Sequence, residues 1–171
     1  MKNLLLLLVT IFTLNSCESD NNKPKTELEK LPPATQTGRN TVGCLVNGEA
    51  MIRKGPATSS NCFYQDQLNF GLGYSMNINN VYKSINVASL NQRLTEGQTY
   101  RLKEDSPGSK WGSYIIDTSI IYSTTDIVTG ELKITHHNYN KAIISGTFWF
   151  DAVNQYGEKV EVREGRFDMR Y

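Results

Sequence analysis

An all-β fold is predicted for this chain, a single antiparallel β-sandwich or flattened β-barrel of roughly eight to ten short strands. Three observations predict it. From Thr41 to the C-terminus apolar residues recur with a period of two. No stretch of that span carries a convincing helical period; around Leu90 to Gly97 the composition supports one turn at most. Turn residues break the alternation at short intervals.

The elements follow in chain order. Val46-Asn47-Gly48-Glu49 contains the Asn-Gly pair of a type I′ hairpin turn, joining a strand near Val42–Val46 to one near Ala50–Arg53. Leu68, Phe70, Leu72, Tyr74 and Met76 alternate with Asn69, Gly71, Gly73, Ser75 and Asn77, giving one apolar face and one small or polar face. Asn79-Asn80 punctuates the chain, and Val81, Ile85 and Val87 resume the alternation, completing a hairpin. Thr129-Gly130 precedes Leu132 and Ile134, and Gln155-Tyr156-Gly157 marks a further turn. Near the end, Ala142, Ile144, Phe148, Phe150 and Ala152 share one parity, then Val160 and Val162, then Phe167, Met169 and Tyr171. The chain finishes inside a strand, which pins its last residues into a sheet.

The N-terminus has a different character. Met1-Lys2-Asn3 is a short cationic start, and Leu4 to Leu14 is an apolar run of 11 residues. About 20 apolar residues are needed to span a bilayer, so this run fits the apolar region of a signal peptide instead. Leu14-Asn15-Ser16-Cys17 resembles the lipobox of bacterial lipoproteins, with Asn15 departing from the usual small or aliphatic residue. The resemblance implies removal of residues 1–16 and lipidation of Cys17. Two or three acyl chains, at about 0.8 kcal/mol per buried methylene, give a firm membrane anchor. Glu18-Ser19-Asp20 resembles the surface-export signal of Bacteroidetes-type lipoproteins, which implies an outer-membrane address and possible cell-surface exposure.

Residues 17–40 read as the lipidated cysteine and a disordered tether, because only Leu28 and Leu31 offer large apolar surface among prolines and alternating charges. A flexible chain of that length reaches roughly 25–30 Å. Its end, Leu31 to Thr35, has the composition to lie against the domain. Residues 41–171 form the all-β domain. Cys44 and Cys62 are then an even pair in an oxidising compartment, so a disulfide worth roughly 3 kcal/mol is expected, with two separate buried thiols as the alternative.

Charge excludes one broad class of function. The chain has 18 Lys and Arg against 17 Asp and Glu, and losing Lys2 with the signal peptide makes the balance even. Nucleic-acid binders carry a basic surplus concentrated on one face, and none is present here. No motif for a hydrolase nucleophile, a phosphate-cradling loop or a metal site occurs, so no catalytic residue, cofactor or metal is assigned. The two histidines, His136 and His137, point to opposite faces of a strand. His136 shares the parity of Leu132 and Ile134 and reads as a partly buried, hydrogen-bonded side chain. Asp117 and Asp151 are the pair a carboxylate-dependent hydrolase would use, though nothing in the sequence brings them together.

Three stretches, LPPATQTGRNTVGCLVNG (Leu31 to Gly48), SGTFWFDAVN (Ser145 to Asn154) and EGRFDMRY (Glu164 to Tyr171), resemble a family of small Bacteroidetes lipoproteins of unknown function. The resemblance covers both ends of the domain and not the middle, from about Gly55 to Gly130. Met51 departs from the aromatic residue usual soon after the Asn-Gly turn. The resemblance implies a lipoprotein with an all-β domain and brings no activity with it.

Aromatic residues are the leading candidates for a binding surface. Trp149 lies on the face opposite Phe148 and Phe150, and Trp111, Tyr114 and Tyr122 cluster in a stretch rich in glycine and serine. The expected role is that of a non-enzymatic, lipid-anchored binding or scaffolding module with a glycan or envelope protein as partner. The alternatives are a lipocalin-like carrier of a small apolar ligand, which requires an internal cavity, and a carboxylate hydrolase, which requires a cleft of titratable groups.

Overall fold

The computed structural model describes residues 24–52, 60–78 and 80–171, and for Ile78 the backbone alone. The signal segment 1–16 and Cys17 lie outside these residues. Among the described residues, eleven strands form one antiparallel sheet curled into a half-barrel. They are β1 Thr41–Val46, β2 Glu49–Ile52, β3 Ser60–Gln65, β4 Asn69–Ile78, β5 Val81–Ser89, β6 Thr99–Leu102, β7 Lys110–Ile116, β8 Ile120–Ser123, β9 Gly130–Asn138, β10 Ile143–Val153 and β11 Lys159–Arg170.

The spatial order is β2-β1-β11-β10-β8-β7-β5-β4-β3, with β9 also paired to β10 and β6 paired to β9. Strand β10 is therefore a fork. Ile143 to Phe150 pair with β9, whereas Val153 pairs with Ser123 of β8. Phe150 sits at the fork and is fully buried. Its ring occupies space that a Cβ on Gly112 of β7 would need, 2.6 Å away. A Cβ on Gly130 of β9 would lie 2.3 Å from the Cβ of Phe150 and 2.2 Å from the Trp149 carbonyl oxygen.

The alternating apolar residues face inward and form one core. Phe70, Leu72, Ile85, Val87, Leu102, Leu132, Ile134, Ile144, Phe150 and Val162 are each 1% exposed or less. The curl brings the two ends of the sheet order together inside. Tyr74 of β4 donates its hydroxyl to the Met51 carbonyl of β2 at 3.0 Å, and its ring shares the core with Cys44 of β1. Phe70 and Phe167 meet at 5.9 Å between ring centres.

Turn chemistry closes the hairpins. Asn47 and Gly48 both take positive φ, as the type I′ reading requires. Asn80, Asp117 and Thr118 do the same at the tips of β4–β5 and β7–β8. Leu68, expected on the apolar face of β4, falls in the β3–β4 turn and is 42% exposed.

Two expectations are corrected. Cys44 and Cys62 form no disulfide; both are free, buried thiols. They belong to strands at opposite ends of the sheet order. Tyr74 has given its one proton to the Met51 carbonyl, so the Cys44 thiol, 2.9 Å from that hydroxyl, is the donor of the contact. Burial pushes both thiols up to about 12, which removes the reactive thiolate.

The second correction concerns the disordered tether of residues 17–40, because from Thr26 onward the segment is docked. Thr26 and Glu29 exchange capping hydrogen bonds around the 3-10 turn Leu28–Lys30. Glu27 accepts from the Ala50 amide at 2.8 Å, and Leu31 is buried. Asp168 of β11 then captures the strap. Its buried carboxylate accepts from the Thr35 hydroxyl at 2.6 Å, from the amides of Thr37, Gly38 and Arg39, and from the Ser145 hydroxyl at 2.8 Å. Leu31 and Thr35 lie against the domain as their composition allows, but composition could not name the partner of Thr35 to Arg39, which lies more than a hundred residues away.

Two expected outcomes follow. Burial raises the Asp168 carboxyl, but its donors outweigh burial and bring it from 3.8 down to about 2. A carboxylate lowered in this way stabilises the fold above its ordinary value, by about 2 kcal/mol, and that contribution disappears as pH falls through about 2. Urea melts from pH 7 to pH 2 should show this loss, and Asp168→Asn should be less stable at pH 7 with a flatter acid limb. Gly130→Ala should destabilise by about 3 kcal/mol, read as a lowered thermal midpoint, because backbone cannot yield where a side-chain tip could.

Candidate functional site

The outer face of β3, β4, β5 and β7 carries a groove of about 660 Å³. It arises directly from the period of two. With Phe70, Leu72 and Tyr74 turned inward, the alternate residues Gly71, Gly73 and Ser75 face out. On β5 the outward set is Ser84, Asn86 and Ala88, and on β7 it is Trp111, Ser113 and Ile115.

Cross-strand register assembles these residues into rows. One row runs Phe63–Gly71–Ala88–Trp111, with aromatic rings at both ends and no bulk between them. The next runs Asn61–Gly73–Asn86–Ser113 and is entirely small or polar. A third pairs Ser75 with Ser84 and Ile115, and Tyr82 closes the far end opposite Asn77. The Phe63 ring lies across Gly71, whose Cβ would fall 2.2 Å from it. Likewise the Asn86 amide lies over Gly73 and donates to the Ser113 hydroxyl at 3.5 Å. Phe63 and Tyr82 are 40% and 41% exposed, and Trp111 is half-buried. Among the described residues, no charged side chain lines this groove.

The structure separates the aromatic residues that the sequence grouped. Trp111 lines the groove. Tyr114 points inward, is buried, and packs against Tyr122 at 5.9 Å, so neither belongs to a surface platform. The Tyr122 hydroxyl donates to Glu158. Trp149 lies on the other branch of the sheet, in a cleft of about 550 Å³ that also holds Glu131, Lys133, Arg163 and Arg166. Its indole N–H donates to Glu131 at 3.2 Å, and the Arg163 guanidinium stands 5.5 Å from its ring centre. Arg163 is also paired with Asp151 at 2.6 Å. Part of the Trp149 face is thus already used.

Phe63 and Tyr82 escaped the sequence reading. The signal available was the run of small residues Gly71, Gly73 and Ser75, which leaves a strand's outer face without side chains and so exposes whatever flanks it.

His136 is partly buried and hydrogen-bonded, as expected, and its neighbour His137 is the more deeply buried of the two. The register of β9 against β10 shifts between Ile134 and His136, so Thr135 is an extra residue that places His137, opposite Ile144, on the inner face. His137 stacks on Tyr139 at 4.0 Å and meets Tyr64 edge-on at 4.7 Å. Its Nδ1 faces the Leu94 carbonyl and its Nε2 faces the Tyr171 hydroxyl, which sets Nδ1 as the protonated nitrogen of a neutral ring. Burial lowers its pKa, consistent with that state. His136 instead faces Glu96 at 3.2 Å. Asp117 accepts from the Tyr82 amide, while Asp151 is held by Arg163, so the two aspartates have separate partners. Among the described residues, no group of three or more His, Cys, Asp or Glu is placed to hold a metal ion.

No curated protein and no solved structure matches the chain. A family of domains of unknown function, DUF6252, matches residues 73–169, which takes in β5 to β10, most of β4 and β11, and most of the groove but not Phe63 or Gly71. The match spans more than half of the chain, and this protein belongs to the DUF6252 family.

Proposed function

We propose that this protein is a lipid-anchored envelope module that binds a glycan or a partner protein on the outer face of β3, β4, β5 and β7, without transforming it. The observation that carries the reading is the row Phe63–Gly71–Ala88–Trp111, an aromatic residue at each end with only a glycine and an alanine between them and the Phe63 ring lying over the glycine. Aromatic rings held at a rigid sheet surface supply contact area at small entropic cost, which is the chemistry of a binding platform. The interior is filled by core side chains such as Phe70, Ile85, Leu132 and Phe150, which speaks against carriage of a small apolar molecule inside the half-barrel. The separate partners of Asp117 and Asp151 speak against a carboxylate pair.

The anchor rests on the lipobox-like Leu14-Asn15-Ser16-Cys17 and the apolar run before it. Only seven residues lie between Cys17 and Thr26 beyond Cys17's own neighbour Glu18, so a docked strap holds the domain closer to the bilayer than a free tether through residue 40 would.

Two measurements test the reading. Cys17→Ser should abolish labelling by radioactive palmitate and move the protein from the membrane pellet to the soluble fraction; unchanged fractionation would refute the anchor. Saturable binding of the purified chain to cell-envelope material should weaken about tenfold in Trp111→Ala and in Phe63→Ala, as loss of one stacked ring predicts. Trp149→Ala should leave it unchanged. Equal retention by all three variants would remove the groove as the working surface.

A further inference from the structure

We infer that the ligand of this groove is a stretch of neutral glycan lying along β4 and β5, an assignment that rests on the reading of the outer face as the binding surface. Three features of the groove select this chemistry over a peptide, a charged ligand or a single sugar.

The first is the kind of polar group on offer. The floor belongs to the middle of a sheet, where β4 is paired on both sides by β3 and β5, and β5 by β4 and β7. The backbone amides and carbonyls of β4 and β5 are used in the ladder, so across this floor an extended peptide finds none of the edge hydrogen bonds by which sheets take up strands; the unpaired edge lies beyond the floor, on β3. What remains are side-chain hydroxyls and amides: Ser75, Ser84, Asn86, Ser113 and, at the rim, Asn61. Each is a short, neutral donor and acceptor of the sort that matches sugar hydroxyls.

The second is the neutrality of the lining among the described residues. Among the described residues, Asp, Glu, Lys and Arg are missing from the lining, although they make up 20% of the chain. An anionic or cationic ligand would lose water here with no counter-charge to offset it. The cleft around Trp149 shows the contrast, since Glu131, Lys133, Arg163, Glu164 and Arg166 all line it.

The third is shape. From Phe63 to Trp111 the row crosses three inter-strand spacings, about 14 Å between backbones, and the Phe63 ring lying over Gly71 narrows the opening. Along β4, from Gly71 in the Phe63 row to Asn77 opposite Tyr82, the floor extends about 20 Å. The trough is longer than it is wide, with rings at both ends: Phe63 and Trp111 at one, Tyr82 at the other. A chain of pyranose rings can lie in it with apolar ring faces against the aromatics and hydroxyl edges over Ser84 and Asn86.

The test uses the full lipidated chain in detergent micelles, probed with the neutral polysaccharides laminarin, xylan, mannan and dextran and the acidic ones polygalacturonate and alginate. The expected result is saturable binding to at least one neutral polymer, little changed by salt, tighter for longer oligosaccharides of that polymer than for the monosaccharide. Trp111→Ala, Phe63→Ala and Asn86→Ala should each weaken it by about tenfold or more, with unchanged circular dichroism and thermal midpoint. Trp149→Ala should bind as the wild type does. Binding to no neutral polymer, or to acidic polymers alone with loss in salt, overturns the assignment. Envelope binding separates that failure from failure of the surface itself. If Trp111-dependent envelope binding resists periodate, which cleaves sugar diols, and is lost to protease, the groove is a protein site and the glycan is wrong. If envelope binding does not depend on Trp111 at all, the surface assignment falls as well.

Discussion

Phe150 against two glycines is the contact on which the shape of this molecule depends. A sheet strand normally has one neighbour on each edge, yet β10 has two along the same edge: β9 for most of its length and β8 at its end. The parting of these strands opens a wedge on the inner face, and Phe150 fills it. It can do so only because Gly112 and Gly130, one on each departing branch, present no Cβ to the ring or its backbone. Any larger residue would push a branch outward, and the half-barrel would lose its curl before its hydrophobic pattern changed. Sheet curvature localised at bulges and glycines is a general device, and here both are present.

Curling has consequences at each end of the sheet. It lets β4 reach β1 and β2 through Tyr74, so a phenol and a thiol close the interior where a disulfide was expected. The arrangement trades a covalent link for two hydrogen bonds in a dry site, where each is stronger than in water. It also leaves the outer faces of the two branches as separate surfaces. One carries mixed charges and a tryptophan already held by Glu131 and Arg163; the other, among the described residues, carries small neutral residues flanked by Phe63, Tyr82 and Trp111. The difference in chemistry between the faces is what singles out the groove.

Asp168 performs the corresponding task for the N-terminal segment. A buried carboxylate with five donors makes the strap from Thr35 to Arg39 part of the sheet rather than a spacer. The domain therefore begins near Thr26, well before its first strand.

The amino-acid sequence by itself determined the all-β class, the inward set of apolar residues and the principal hairpins, because a period of two and turn chemistry are local properties. It also contained the bulge in β11. Val160 and Val162 share one parity and Phe167, Met169 and Tyr171 the other, so an extra residue must intervene, and Glu164 with φ 55° is there. Other elements were hidden for a physical reason. In β7 the inward position beside Phe150 is Gly112, so the strand's apolar face is interrupted by a residue whose emptiness is explained only by its neighbour. The same applies to Thr135, whose bulge places His137 on the inner face, and to the tether, whose anchor is Asp168. Trp111 was legible as an exposed aromatic, but Phe63 and Tyr82 joined it only through register across four strands. Which residues face in or out is written in the chain; which of them stand side by side depends on strand order, and strand order is decided by the tertiary structure alone.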